Sequence, residues 1–348
     1  MDRNLVLATI VVLVLLVCAA CACLAPSAFW AGVGAVGVCI GYVSLCPDIR
    51  ANLKAKGNRD YMETTGGYQK NTGVSLFARL AKSKTALQRS KVFLEKKAYR
   101  TSGVKGFGAT AVAVVLSGRS DAEILAALRE KWRAACGQPS KAPNAGRADS
   151  RLTEAAKFFA PEKEIATTEG PGYLYIDVGS SEGSITEAVA AELGLSRGQA
   201  IAVDIVPQKD NPHFTFIQIN AECLPFADAM FDLITMFMSA HHFADAPCMF
   251  AEAARIAKPG ARLILREHGT FDKTSPLFYD LVHAYYEVIA GDESTPEEFA
   301  ARYAKGDFAT YRRVDAWSQL LLDAGFKETD MLVIKDTFDT LLTRYVRI

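Results

Sequence analysis

From Asn4 to Pro47 the chain carries no charged residue, and Leu5–Ala25 is apolar except for Thr9. As a helix those 21 residues would reach roughly 30 Å, about the thickness of a bilayer core. Ser27–Cys46 is a weaker second stretch, in which Gly37 and Gly41 stand four apart, a spacing that permits close helix packing in lipid. The break at Ala25-Pro26-Ser27 suits the tip of a hairpin. The pattern therefore predicts a membrane anchor of one or two transmembrane helices over 1–47. A cleaved leader is the rival, because Ala20-Cys21-Ala22 resembles a cleavage site. Against it, the apolar run is long and the preceding "MDR" has no net charge. Arg50, Lys54, Lys56 and Arg59 follow the second stretch and, by the positive-inside rule, would place the rest of the chain on the cytosolic side of the membrane.

The periodicity then changes. Residues 48–137 read as a basic, partly helical adaptor region. Within it, 82–100 predicts a basic helix, and 120–137 predicts a helix with a capping box at Ser120 and Glu123, inward Ile124, Leu128 and Trp132, and a stop at Gly137. "QPSKAPNAGRADS" (138–150) has the composition of a linker. From 151 to 348 apolar, β-rich runs at 173–178, 200–205, 214–219, 231–237 and 261–266 alternate with helical patterns, notably 184–194 and 247–257. That alternation predicts an α/β fold, a doubly wound, mostly parallel sheet. Two last runs, 331–335 and 341–347, are too closely connected for a parallel crossover and predict an antiparallel pair, which makes seven strands.

Formal net charge is zero, but the charges are segregated. Between Cys46 and Arg151 there are 20 Lys and Arg against 8 Asp and Glu; from Arg151 onward there are 18 against 30. The basic part is suited to anionic headgroups or, over 50–105, to RNA. Five of the eight cysteines lie in the first 46 residues, so no disulfide framework is implied. Cys18, Cys21 and Cys23 have no polar neighbours that would complete a metal site, and no metal site is expected elsewhere.

The stretch "YIDVGSSEGS" (175–184) places an acid and a glycine-bracketed turn between a strand and a helix. Gly179 allows the sharp turn, and Gly183 allows a close approach at the helix start. A dinucleotide fingerprint is not met, and Glu182 would sit where a pyrophosphate belongs. A cationic donor fits better. Here the chain resembles the class I S-adenosylmethionine-dependent methyltransferases, over about residues 170–348. "DVGSSEG" is similar to their first motif with Ser181 in place of the middle glycine, "AIAVDI" to their second, "INAECLPFADAMFDLI" to their third, and "FAEAARIAKPGARLIL" to their helix, turn and fifth strand. The resemblance implies S-adenosyl-L-methionine as cofactor. It implies that Asp177, Gly179, Ser180, Ser181 and Gly183 form the donor loop, with Asp204 and Ile205 at the ribose and Asn220, Ala221 and Glu222 at the adenine.

Methyl transfer from a sulfonium is largely alignment, although an oxygen or nitrogen acceptor can need a base. The candidates after the fourth and fifth strands are His241, His242, Glu267 and His268; the bland alternative for Glu267 is an ion pair with Arg266. The resemblance also implies that 271–313 covers the substrate. The expected protein is a membrane-anchored methyltransferase acting on a small or lipid-like acceptor. An RNA ribose or cap methyltransferase is the first alternative, with Lys157 as the first lysine of a catalytic tetrad whose aspartate and second lysine are replaced here. A membrane-tethered, non-catalytic scaffold is the second.

Overall fold

In the computed structural model, residues 73–138, 147–208, 210–219, 223–272, 274–306, 308–335 and 339–348 are described. The expected membrane segments over 1–47, the start of the basic region and most of the linker lie outside them. Among the described residues no helix is long and apolar enough to cross a membrane.

Seven strands form one sheet: β1 Tyr175–Val178, β2 Ala200–Asp204, β3 Thr215–Gln218, β4 Phe231–Phe237, β5 Ala257–His268, β6 Phe326–Ile334 and β7 Thr340–Arg347, in the order β3-β2-β1-β4-β5-β7-β6. The first five are parallel, and β7 runs antiparallel between β5 and β6. The α/β class and the antiparallel terminal pair are as the sequence predicts. Every residue of β1 and of β4 is buried, which is why both read as continuous apolar runs rather than as alternations. Ile176 and Val178 point into one core, beneath Phe250 and Trp317. Tyr175 points into the other, with Phe158, Phe159 and Val189. These cores hold helices on both faces: α5 Arg147–Glu169 and α6 Ser184–Leu193 on one, α7 Ala246–Ile256 and α10 Val314–Asp323 on the other.

A third core lies outside the sheet. The basic segment folds as α1 Leu76–Lys82, α2 Lys84–Ser102, α3 Phe107–Val115 and α4 Asp121–Cys136. These helices pack on α8 Ser275–Ala284, its π-helical extension Tyr285–Ile289 and α9 Pro296–Ala304. Phe93, Phe107, Trp132 and Tyr285 meet edge to face, with ring centroids 5.0 to 5.2 Å apart. The basic stretch and the 271–313 insertion thus form one helical cap. Two of its cations are engaged within the protein: Arg89 bonds Ser275 and lies over the Phe278 ring, and Lys97 bonds the Tyr286 hydroxyl at 2.7 Å, while Lys82, Lys84, Lys91 and Arg100 are exposed. The capping box at Ser120 and Glu123 forms as predicted.

Candidate functional site

Strand order reverses between β1 and β4, and in doubly wound sheets the crevice at that point opens at the carboxyl ends of the strands. The turn after β1 is tied to β2, since the Gly179 and Ser180 amides both donate to the Val203 carbonyl, at 2.9 and 3.1 Å. Gly179 has φ +75°, and a Cβ there would lie 2.4 Å from the Ser239 Cβ. Gly183 has φ +77°, and its Cβ would lie 2.1 Å from the Phe214 ring. The need for glycine at 183 therefore comes from a neighbouring ring, not only from a ligand's approach. Ser181 adopts the left-handed φ of 49° that glycine would take without strain. In that conformation its amide donates to Asp204 Oδ2 at 2.7 Å, while the Val206 amide donates to Oδ1 at 2.9 Å.

Asp177 and Asp204 serve the same turn differently. Asp177 is 1% exposed and accepts from Thr186 and Thr235, each at 2.7 Å. Burial lifts its carboxyl to about 6, against the pull of the two threonine hydroxyls. It braces the turn from beneath, between α6 and β4. Asp204 stands at the rim beside the exposed Ile205. The Ser180 hydroxyl is buried without a partner among the described residues and faces the same crevice. Asn220, Ala221 and Glu222 lie outside the described residues.

A wall of imidazoles closes the other end. After β4, Met238 takes a left-handed φ of 62°, and a short 3-10 turn, Ala240–His242, follows. Glu267, buried at the end of β5, receives the His241 amide at 3.1 Å and the His268 amide at 3.1 Å, and lies 2.6 Å from His241 Nδ1. Burial lifts the Glu267 carboxyl to about 7, and the backbone donors oppose that. Glu267 does not pair with Arg266, which instead bonds Glu154 at 2.7 Å. His268 stacks on Tyr279 with ring centroids 4.2 Å apart, and its Nδ1 is buried without a partner among the described residues. Burial, followed by the neighbouring imidazoles, holds His241 and His268 well below the usual histidine range, so they are neutral near pH 7.

The cap supplies two further members, His283, which the sequence groups with the other histidines without a catalytic role, and Tyr311. His283 on α8 brings its Nε2 to 3.2 Å from His241 Nε2, and Tyr311 lies 2.9 Å from His283 Nδ1. A Tyr279–His283 spacing of one helical turn is a visible signal for the former; nothing local singles out Tyr311. The Thr310 amide clamps the His241 carbonyl at 2.7 Å. One cleft of about 910 Å³ joins the donor-loop residues Ser180 and Asp204 to His241, His242, His268 and His283, with Phe93 and Tyr286 of the cap on its rim. Lys157 sits apart, paired with Asp330 at 3.2 Å on a half-exposed surface, so no lysine tetrad assembles around it.

Residues 176–265 match the family described as "Methyltransferase domain". The ubiquinone/menaquinone biosynthesis C-methyltransferase of Shewanella frigidimarina is 24% identical over 192 residues, which cover 50% of this chain and 73% of that protein. The Shewanella oneidensis counterpart is 25% identical over 183 residues, covering 48% and 71%. Among solved structures, 1,6-didemethyltoxoflavin-N1-methyltransferase of Burkholderia thailandensis aligns with a TM-score of 0.38 and 17% identity, over 66% of this chain and 91% of that one. With the ordered motifs and this strand order, the family match identifies an α/β transferase of the doubly wound class. Residues 176–265 carry a methyltransferase domain of the class I type, and its cofactor is S-adenosylmethionine.

Proposed function

We propose that the chain transfers a methyl group to a small or lipid-like acceptor seated between the imidazole wall and the helical cap. The observation that carries this is the single cleft running from the donor loop to four histidines. Its volume is in the range that holds a nucleotide-sized donor with a small molecule beside it. The donor, when bound, supplies an activated methyl group on a positively charged sulfur. Gly179, Ser180, Ser181 and Gly183 wrap it; the Ser180 hydroxyl, which has no partner among the described residues, meets it there. Asp204 keeps a free lone pair on each oxygen for the ribose hydroxyls, and Ile205 flanks the adenine. Asn220, Ala221 and Glu222 are assigned to the adenine edge from sequence alone. Asp177 holds the loop rather than the ligand.

On the acceptor side, His268 offers an unpartnered nitrogen in its neutral form, the state required to take a proton. Glu267 fixes His241 from behind, and His242 lines the open side. The relatives named for C-methylation in ubiquinone/menaquinone biosynthesis support a small apolar acceptor. The RNA reading has less behind it: no tetrad gathers at Lys157, which pairs with Asp330, and Arg89 and Lys97 of the basic segment are used inside the cap. Membrane attachment through 1–47, with the catalytic domain facing the cytosol, belongs to the proposal on sequence alone; membrane fractionation of the full chain tests it. The decisive experiment is a screen of metabolite and lipid extracts for transfer of labelled methyl groups, alongside calorimetry with S-adenosylmethionine. Transfer that His268→Ala abolishes supports the reading. A folded chain that binds donor but methylates only RNA overturns it.

A further inference from the structure

His241, His242 and His283 come from two distant parts of the chain, the turn after β4 and helix α8, yet one ring nitrogen of each lies within 4.8 Å of the others. The closest pair is the most informative. His241 Nε2 and His283 Nε2 face each other at 3.2 Å. The outer nitrogen of each ring already has an acceptor: Glu267 Oε2 lies 2.6 Å from His241 Nδ1, and the Tyr279 carbonyl lies 2.9 Å from His283 Nδ1. A carbonyl only accepts, so a proton on His283 Nδ1 is held by the Tyr279 carbonyl, with the Tyr311 hydroxyl 2.9 Å from the same nitrogen and able to accept as well. Glu267, in its ionised form and fed by two backbone amides, accepts in the same way from His241 Nδ1. Two neutral imidazoles so oriented point lone pair at lone pair.

In that tautomer the two inner nitrogens form a donor pair for a cation. Two nitrogens bound to one tetrahedral zinc at 2.0 to 2.1 Å stand about 3.3 Å apart, close to the separation found here. The backing of each inner nitrogen by a carboxylate or a carbonyl is the arrangement that orients histidines toward a metal. His242, the exposed member of the three, faces the cleft and is free to swing inward as the third ligand.

We propose that His241, His242 and His283 form a three-histidine site for a divalent transition-metal ion of the zinc type, with Glu267 and the Tyr279 carbonyl positioning the rings. Three protein ligands leave the fourth position open, and it opens on the cleft. An acceptor oxygen, from a hydroxyl or an enolisable carbonyl, binds there and becomes more acidic. His268, whose ring centroid lies 4.9 Å from that of His241, then takes the proton although it is a weak base. The role of the open position rests on the acceptor reading above; the metal site itself rests on geometry alone.

The test uses the full-length, untagged chain, stripped with a chelator and titrated with zinc alone by calorimetry, with cobalt as the spectroscopic probe. The expected result is one ion per chain and a visible cobalt spectrum of nitrogen ligation. His283→Ala and His242→Ala should each weaken zinc binding by about 100-fold or more, and Glu267→Gln by about 10- to 100-fold. Unfolding of each metal-free variant is compared with that of the metal-free wild type; if His283→Ala does not fold, the exposed His242→Ala carries the test. Less than 0.1 ion per chain at about 100 μM zinc, or wild-type affinity in His242→Ala, overturns the site. Calorimetry with S-adenosylmethionine on the same stripped chain reports separately on the methyltransferase reading, so the two failures are distinguishable.

Discussion

Asp204 has two oxygens and, in the protein itself, two backbone donors, one from the donor loop and one from the residue two positions beyond it. Its side chain therefore arrives already aimed before any ligand is bound. Truncation to Ala removes both the ligand's acceptor and the tether of Ser181. We expect Asp204→Ala to weaken S-adenosylmethionine binding by more than about 1 kcal/mol, the scale of a lost hydrogen bond to a charged group; calorimetry measures it, and unchanged affinity would remove Asp204 from the ribose site. The loop glycines separate in the same quantitative way. Gly194 has φ +70° with open space around it, whereas Gly183 has φ +77° with the Phe214 ring in the path of a Cβ. Gly194→Ala should cost about 1 kcal/mol from backbone strain alone. Gly183→Ala adds the clash and should cost at least about 2 kcal/mol more, since Phe214 is fully buried and has no room to give. Equal denaturation midpoints for the two variants would show that Phe214 yields freely.

At the scale of elements, the sheet was legible because its central strands β1 and β4 are buried on both faces and announce themselves as apolar runs, and because an acid stands at the carboxyl end of β1 and of β2, with a glycine-bracketed turn after β1. α3, α5 and α9 were not. α3 is an apolar run of small and β-branched residues, "FGATAVAVV", without polar punctuation. α5 carries Pro161 in its interior, which argues locally against a helix, and packing against α6 overrides that. The site was legible in its donor half and partly in its acceptor half. His241, His242, Glu267 and His268 sit near strand ends, where the topology makes them neighbours. His283 and Tyr311 belong to the insertion, and their approach depends on how the cap docks, which no local pattern encodes. The cap also has its own core, so its stability can be probed apart from the sheet. Trp132 is 3% exposed and packs edge to face on Phe107 and Tyr285. Trp132→Ala should destabilise the cap by about 3–5 kcal/mol. Hydrogen exchange should then rise in α2, α4 and α8 while β1, β4 and β5 stay protected, and donor affinity should change less than about threefold. Uniform loss of protection across the sheet would show that cap and sheet unfold as one unit.

Across the whole molecule, buried ionisable groups of opposite kind give stability a composite dependence on pH. The buried His241 and His268 are neutral when folded and charge in the unfolded chain, so their contribution grows as pH rises toward their ordinary range. The buried carboxyls act in the opposite sense. Burial lifts Asp280 of α8 to about 7, although the Tyr303 hydroxyl donates to it at 2.9 Å. Between about pH 4 and pH 7 the folded chain therefore holds a proton there that the unfolded chain has released, and stability falls as pH rises. Since Asp177, Glu267 and the histidines titrate in the same span, the wild-type curve alone cannot isolate one group, but a single substitution can. Asp280→Asn keeps an acceptor for Tyr303, mimics the protonated acid and does not titrate. Near pH 4.5 the variant and wild type should be about equally stable. By pH 8 the variant should be the more stable of the two, by up to about 4 kcal/mol, the full value of the shift. Urea unfolding at the two pH values measures this, and a difference that stays constant with pH would mean that Asp280 remains ionised within the folded cap.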